Sequence, residues 1–152
     1  MIEIDPKGTL DKLSTLDGLD KQGESRRRSI LVIEDSPIIQ NMIRPILAFQ
    51  QYEVAFTQNG EEALQACEKN SYDLILMDLA MPVLDGFSCV KRIRAMEDRK
   101  KAKTPVIAVT GNSEGYTLEE FIQAGFDDFH PKPIDFDKLS RLISVHINTV
   151  SR

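Results

Sequence analysis

Residues 29–37 have the sequence SILVIEDSP, and this stretch carries the main signal for the fold. Its run of four aliphatic residues, 30–33, is typical of a parallel strand that is covered on both faces. The run ends at Glu34 and Asp35, after which Ser36 and Pro37 supply a helix N-cap and a first helical residue. The stretch therefore predicts a buried strand, a polar strand end and the start of a helix.

The same unit recurs along the rest of the chain. We predict further strands at 52–57, 72–77, 105–109 and 126–131, and further helices at 61–68, 87–96, 118–124 and after the N-cap Asp135. Residues 97–103 are predicted to form a solvated charged loop. Alternation of short apolar runs with amphipathic segments is typical of βα units. The sequence thus predicts a doubly wound α/β domain with a five-stranded parallel sheet and five helices.

Two of these helices contain positions that the structure can test. The first helix is predicted to direct Ile38, Met42, Ile46 and Leu47 inward, and to kink at Pro45, which removes one backbone hydrogen bond. The last helix is predicted to direct five apolar residues inward, namely Phe136, Leu139, Leu142, Ile143 and Ile147.

Composition and charge narrow the function classes. The 152-residue chain has a net charge of -5, and residues 1–28 contain six acidic and six basic residues, so the excess lies beyond them. Direct binding to nucleic acid is therefore not expected. Cys67 and Cys89 lack metal-binding spacing, and we expect two reduced packing thiols.

The chain is expected to be one cytoplasmic domain with an N-terminal arm. No apolar stretch approaches the ~20 residues of a membrane span, and the N-terminus lacks the features of a signal peptide. Residues 1–28, with several glycines and many charges, are predicted to be a flexible arm, either a solvated extension or a docking segment. We expect the run of arginines at 26–28 to be solvated. Residues 29–150 form the predicted domain.

Polar residues follow four of the five predicted strands. Glu34 and Asp35 come after the first, Asp78 after the third, Thr110 after the fourth and Lys132 after the fifth. In an open parallel sheet, ligands bind at the carboxyl ends of the strands, where the strand order reverses. An order of 2-1-3-4-5 places the first and third strands side by side, so that three carboxylates converge.

Such converging carboxylates repel each other, and a cation relieves the repulsion. Oxygen ligands without thiolates favour Mg²⁺, for which Mn²⁺ would substitute. A carboxylate beside Mg²⁺ can attack phosphorus and form an aspartyl phosphate, and Asp78 is the best candidate for that nucleophile. The ammonium of Lys132 and the hydroxyl of Thr110 would bind the phosphoryl oxygens.

Four segments carry a resemblance to a known family: 30–36 (ILVIEDS), 73–86 (DLILMDLAMPVLDG), 106–111 (VIAVTG) and 124–133 (AGFDDFHPKP). Between residue 29 and about residue 148, the chain resembles the receiver domain of two-component response regulators, of the single-domain, chemotaxis-regulator-like type. The resemblance implies a flavodoxin-like fold with the strand order 2-1-3-4-5. It also implies a cis peptide bond between Lys132 and Pro133.

The resemblance further implies roles for individual residues. Asp78 would accept a phosphoryl group from a sensor histidine kinase or a histidine phosphotransfer protein. Asp35, Asp78 and the backbone carbonyl of Ala80 would hold Mg²⁺, and Glu34 would contribute directly or through water. Lys132 would pair with the phosphoryl group.

A switch would report the phosphorylated state. Thr110 would move toward the phosphoryl group, and Phe129 would turn inward, which changes the surface made by the fourth predicted helix, the fifth strand and the last helix. Because Phe129 has no hydroxyl, packing alone would carry this change. The output would be binding to an unidentified protein or onward transfer of the phosphate.

Two other functions are consistent with some of these residues. A phosphatase of the haloacid dehalogenase type also uses an aspartyl nucleophile with Mg²⁺, but that family places a second Asp at the position of Ala80. A receiver-like module that binds partners without phosphorylation is the second alternative. The chain would have no catalytic domain of its own beyond assisting its phosphorylation and dephosphorylation.

Overall fold

The computed structural model describes residues 27–111 and 115–148. Five strands form one parallel sheet in the order β2-β1-β3-β4-β5. The strands are β1 (Ser29–Ile33), β2 (Glu53–Thr57), β3 (Leu74–Asp78), β4 (Val106–Thr110) and β5 (Asp128–Pro131). The predicted sheet, its direction and its strand order are confirmed.

Six helices accompany the sheet within the described residues. They are α1 (Pro37–Phe49), α2 (Gly60–Lys69), α3 (Gly86–Arg94), α4 (Arg99–Ala102), α5 (Leu118–Ala124) and α6 (Phe136–Ile147). The predicted number of five was wrong, because one turn of helix, α4, forms where we expected only a charged loop. Asp98 caps this turn by accepting hydrogen bonds from the backbone N–H groups of Lys100 and Lys101, and Ala102 is buried.

The core has two halves, one on each face of the sheet. Alternate residues of β1 and β3 point to opposite faces. Leu31, Ile33, Ile75 and Met77 pack with residues of α2, α3 and α5, whereas Ile30, Val32, Leu74 and Leu76 pack with residues of α1 and α6. Both cysteines are buried and free. The central strands are therefore covered on both sides, as the apolar run of β1 predicts.

Some predictions of inward side chains were wrong. Ile38 and Met42 are exposed, and Ile43 is buried with Ile46 and Leu47, so the inward face of α1 is turned relative to the prediction. Phe136 is exposed at the start of α6, where its ring contacts that of Phe49. Pro45 lies inside α1, and the kink there stays a prediction.

The arginines before β1 contact the domain rather than only solvent. Arg27 Nε donates a hydrogen bond to the backbone oxygen of Gln51, 3.0 Å away. A guanidinium nitrogen of Arg28 lies 3.4 Å from the carbonyl oxygen of Ile147. Arg27 is exposed, as expected, whereas Arg28 is half-buried, so the expectation of a solvated run was wrong for Arg28. The predicted arm otherwise falls in residues 1–26, outside the described residues.

Candidate functional site

Three carboxylates meet at the carboxyl edge of the sheet. Glu34 and Asp35 follow β1, and Asp78 is the last residue of β3. The two strands are parallel neighbours in which Ile33 pairs with Met77, so their ends lie level. One oxygen from each carboxylate lies within 4.8 Å of the other two. The convergence expected from the sequence is present.

Lys132, which follows the edge strand β5, completes the charged group. Its Nζ lies 3.6 Å from Glu34 Oε1 and 3.6 Å from Asp78 Oδ1. Its backbone N–H donates to the carbonyl oxygen of Thr110, 2.7 Å away, which fixes the end of β5 against the end of β4. The Lys132–Pro133 peptide bond is cis, as the family resemblance implied.

Burial raises the pKa of two of these carboxylates, Glu34 and Asp78. Glu34 is 2% exposed and Asp78 is 5% exposed, whereas Asp35 is exposed. Burial raises the pKa of Glu34 to about 7; the Ser36 N–H and the Lys132 charge oppose this shift, and the Asp78 charge adds to it. Burial also raises the pKa of Asp78, with Lys132 opposing. A single lysine therefore does not balance the buried negative charge.

The donor set fits a hard divalent cation. All three side chains offer carboxylate oxygens, and the described residues place no thiolate or imidazole in the group. Mg²⁺ binds through one or two carboxylates and keeps several waters, a geometry that an exposed Asp35 and a buried Asp78 would allow. The cluster could therefore bind a metal ion.

The loop after β3 is held tightly behind the site. Asp78 Oδ1 accepts a hydrogen bond from the backbone N–H of Ala80 at 3.2 Å, which orients the carboxylate. A side chain at Gly86 would place its Cβ 2.9 Å from the Cα of Leu79 and 3.0 Å from the backbone oxygen of Asp78. Only glycine permits this approach of α3 to the loop.

The charged group opens into a cleft of about 590 Å³. Thr110, 4% exposed, lies in its lining together with Ala80, so the structure brings the predicted residues of the site together. The rings of Phe87 and Tyr116 also line it. Sequence reasoning placed Phe87 only in a helix core and did not identify Tyr116, because a tyrosine in a loop carries no periodic signal.

Phe129 lies outside the residues that line this cleft. It is half-buried on β5, and its ring stacks on that of Phe121 with 4.8 Å between centroids. The predicted switch movement is not visible in a single structure and stays a prediction.

A family model of the response regulator receiver domain matches residues 30–144. The chain belongs to this family. Receiver domains are signalling modules of two-component systems, and the match spans every element from β1 to most of α6. The resemblance to receiver domains is confirmed, and the single-domain type stays a prediction.

The chain is similar to short stretches of two much longer curated proteins. It is 35% identical over 118 residues to the transcription factor SKN7 of Candida albicans, covering 78% of this chain and 20% of that protein. It is 30% identical over 120 residues to the sensor protein GacS of Pseudomonas syringae, covering 78% of this chain and 13% of that protein. The chain thus spans a fifth or less of the length of both relatives.

Solved receiver domains share the fold of this chain, and one of them holds a metal ion. The receiver domain of the sensor histidine kinase PA1611 from Pseudomonas aeruginosa has a TM-score of 0.73 and 36% identity, over 80% of this chain and 98% of that chain. That structure has a magnesium ion coordinated in its active-site cleft. The chemotaxis protein CheY4 of Vibrio cholerae has a TM-score of 0.71 and 28% identity, over 79% and 98%.

None of the helices in the described part of the chain is long and apolar enough to cross a bilayer.

Proposed function

We propose that this receiver domain accepts a phosphoryl group on Asp78. The observation that carries the proposal is the placement of Asp78: buried at the end of β3, with Lys132 Nζ 3.6 Å from its Oδ1 and two further carboxylates close by. A nucleophile for phosphoryl transfer needs cations and donors around the transferred group, and this site supplies both.

The chemistry follows from the residues around Asp78. A carboxylate oxygen of Asp78 forms a bond to phosphorus, and the bond between phosphorus and the donor breaks; from a phosphohistidine donor, the leaving group is the imidazole. The ammonium of Lys132 would neutralise the phosphoryl oxygens, and the hydroxyl of Thr110 would donate a hydrogen bond to one of them. The Ala80 N–H holds the carboxylate in a fixed orientation.

A divalent cation fits the proposal. Asp35, Asp78 and the backbone carbonyl of Ala80 would hold Mg²⁺, with Glu34 acting directly or through water; Mn²⁺ would substitute. The ion, when bound, supplies positive charge that stabilises the transferring phosphoryl group. The magnesium in the related receiver of the PA1611 kinase supports this assignment.

The partners follow from the family. The donor would be a sensor histidine kinase or a histidine phosphotransfer protein, since relatives include sensor proteins such as GacS. The output would be a changed surface at α5, β5 and α6, produced by Thr110 and Phe129, which a downstream protein reads. Onward transfer of the phosphate is the other output.

The test is phosphorylation by acetyl phosphate. Wild type, Asp78→Asn and the control Asp85→Asn are incubated with acetyl phosphate, with and without Mg²⁺, and intact masses are measured. Asp85 is an exposed N-cap of α3 in which Asn preserves capping. We expect one added phosphoryl group, dependent on Mg²⁺, in wild type and Asp85→Asn only.

Other outcomes would contradict the proposal. Equal labelling of Asp78→Asn would place the phosphoryl group elsewhere. If wild type takes no label and beryllofluoride causes no NMR shifts at Thr110 and Phe129, the domain is a phosphorylation-independent interaction module.

A further inference from the structure

Tyr116 lies in the lining of the site, a position that the sequence did not predict. It precedes α5, and its ring lines the same cleft as Asp78, Thr110 and Lys132. The residue is 45% exposed. Its phenol ring therefore separates part of the cleft from bulk solvent.

Two aromatic contacts hold the ring in place. The centroid of the Tyr116 ring lies 5.2 Å from that of Phe87, which lines the same cleft, and 5.6 Å from that of Phe121. Both distances are within the range of favourable aromatic pairs. The Phe87 and Phe121 rings also stack on each other, with 6.1 Å between centroids, so the tyrosine completes a cluster of three rings from α3, α5 and the segment before α5.

The residues next to the Tyr116 ring are themselves held by further contacts. Phe121 is fully buried and stacks on Phe129, and the next residue after Tyr116, Thr117, begins α5 with a capping box. In this box Thr117 Oγ1 accepts from the Glu120 N–H at 3.1 Å, and a Glu120 carboxylate oxygen accepts from the Thr117 N–H at 2.8 Å. The backbone beside Tyr116 is thus anchored to a helix start.

We propose that Tyr116 is a positioning residue whose ring, packed against Phe87 and Phe121, limits the access of water to the phosphoryl group on Asp78. This inference rests on the proposed function. In hydrolysis, a water oxygen forms a bond to phosphorus, the bond from phosphorus to the Asp78 oxygen breaks, the proton of the water passes to the released phosphate or solvent, and the carboxylate is regenerated. A ring that occupies part of the cleft excludes water from the site and slows this step.

The experiment compares phosphoryl lifetimes. Wild type and variants are loaded with acetyl phosphate and Mg²⁺, the donor is removed by rapid desalting, and the release of inorganic phosphate is followed. The variants are Tyr116→Ala, Tyr116→Phe, Tyr116→Leu and the control Leu118→Ala. Leu118 is an exposed residue of the same segment that does not line the cleft.

We expect Tyr116→Ala to shorten the lifetime by about three- to tenfold, which corresponds to a barrier to hydrolysis lower by about 0.7–1.4 kcal/mol. Tyr116→Phe keeps the ring and should restore the wild-type lifetime, and Tyr116→Leu should give an intermediate value. Leu118→Ala should leave the lifetime unchanged. Tyr116→Ala also loses two ring contacts and should unfold at a somewhat lower temperature. Lifetimes are therefore compared well below the unfolding temperature of every variant, where a merely structural role would leave the lifetime unchanged.

Three results would overturn the inference. A wild-type lifetime in Tyr116→Ala shows that the ring does not limit water, and a short lifetime in Tyr116→Phe assigns the effect to the hydroxyl. An equal shortening in Leu118→Ala shows a general effect of the segment. Absence of label in wild type is different, because it rejects the proposed function and this inference together.

Discussion

Burial strongly disfavours the negative charge of Glu34. It is nearly inaccessible, it stands beside two other carboxylates, and its pKa is raised to about 7 by burial. The folded protein therefore holds a proton on this group at pH values where an unfolded chain has lost it. From about pH 4.5 to 7 the native state binds more protons, so stability falls as the pH rises, and the full penalty applies above pH 7.

Glu34→Gln should remove this penalty. In EDTA at pH 8, we expect the variant to be more stable than wild type by about 1–3 kcal/mol, and at pH 4.5 we expect almost no difference. Urea unfolding at the two pH values measures both. Added Mg²⁺ should reduce the advantage by stabilising only the wild type. An equal advantage at both pH values, or the same effect in the exposed Glu119→Gln, would contradict the assignment.

Val83 is strained in the loop that follows the phosphoacceptor strand. Its φ is 72°, in the left-handed region that a β-branched residue rarely adopts, and its side chain is 77% exposed. Val83→Gly should therefore stabilise the domain by about 1 kcal/mol, since it relieves strain and loses little packing. Thermal and urea unfolding measure the change.

A second valine provides the control for this prediction. Val145 is also exposed, but it lies within α6, where Val145→Gly should destabilise by up to about 0.5 kcal/mol. If both substitutions destabilise the protein equally, Val83 is not strained.

Arg94 joins the end of α3 to the end of α4, to the start of the segment before β4 and to the loop between α5 and β5. Its Nε donates to the carbonyl oxygen of Gly125 at 2.8 Å, and one terminal nitrogen donates to the carbonyl oxygens of Ala102 and Thr104 at 2.8 and 2.7 Å. The other terminal nitrogen lies 2.9 Å from a carboxylate oxygen of Asp127. A guanidinium can make these bonds together because its donors are fixed in a plane.

Arg94→Lys should destabilise the protein by about 2 kcal/mol, because one ammonium cannot reach all four acceptors and leaves carbonyl oxygens unpaired. Urea unfolding provides the measurement. The matched control is Arg92→Lys, since Arg92 makes only an exposed pair with Glu61 at 3.6 Å and should change stability by less than about 0.5 kcal/mol. Equal effects in the two variants would contradict this role for Arg94.

The elements that the sequence predicted well are those with strong local signals. The continuous apolar runs of β1 and β3 specify strands buried on both faces, and the polar residues directly after them specify the site. Helix α5 was predicted with its observed bounds because Gly125 marks its end, and the structure adds the capping box of Thr117 at its start.

The remaining features depend on tertiary contacts. Helix α4 forms because Ala102 is buried and Asp98 caps its first turn, and neither contact has a periodic signal in a run of lysines. The outward position of Ile38 and Met42 depends on how α1 is seated on the sheet. Tyr116 reaches the cleft only because Phe87 and Phe121 hold its ring there.

At the scale of the whole molecule, the site is built on the most buried part of the fold. Strands β1 and β3 are interior strands of a sheet covered on both faces, so packing among the described residues holds the carboxylates at their ends. Arg27 and Arg28 fasten the start of the domain to Gln51 and Ile147.

Deletion of residues 1–25 should therefore leave labelling of Asp78 by acetyl phosphate intact. We expect the deletion to alter partner binding or self-association instead, which light scattering coupled to gel filtration detects. The full-length chain, measured at the same concentration, is the control. Loss of labelling in the shortened protein would contradict this division between arm and domain.

If Asp78 is the phosphoacceptor, it forms the acyl phosphate itself. The protein is treated with acetyl phosphate and Mg²⁺, the product is reduced with borohydride, and the peptide that contains residue 78 is sequenced by mass spectrometry. Borohydride converts an aspartyl phosphate to homoserine, so we expect homoserine at position 78, with Glu34 and Asp35 unchanged. Homoserine at another aspartate, or none in a protein that has gained a phosphoryl group, would show that Asp78 is not the phosphoacceptor.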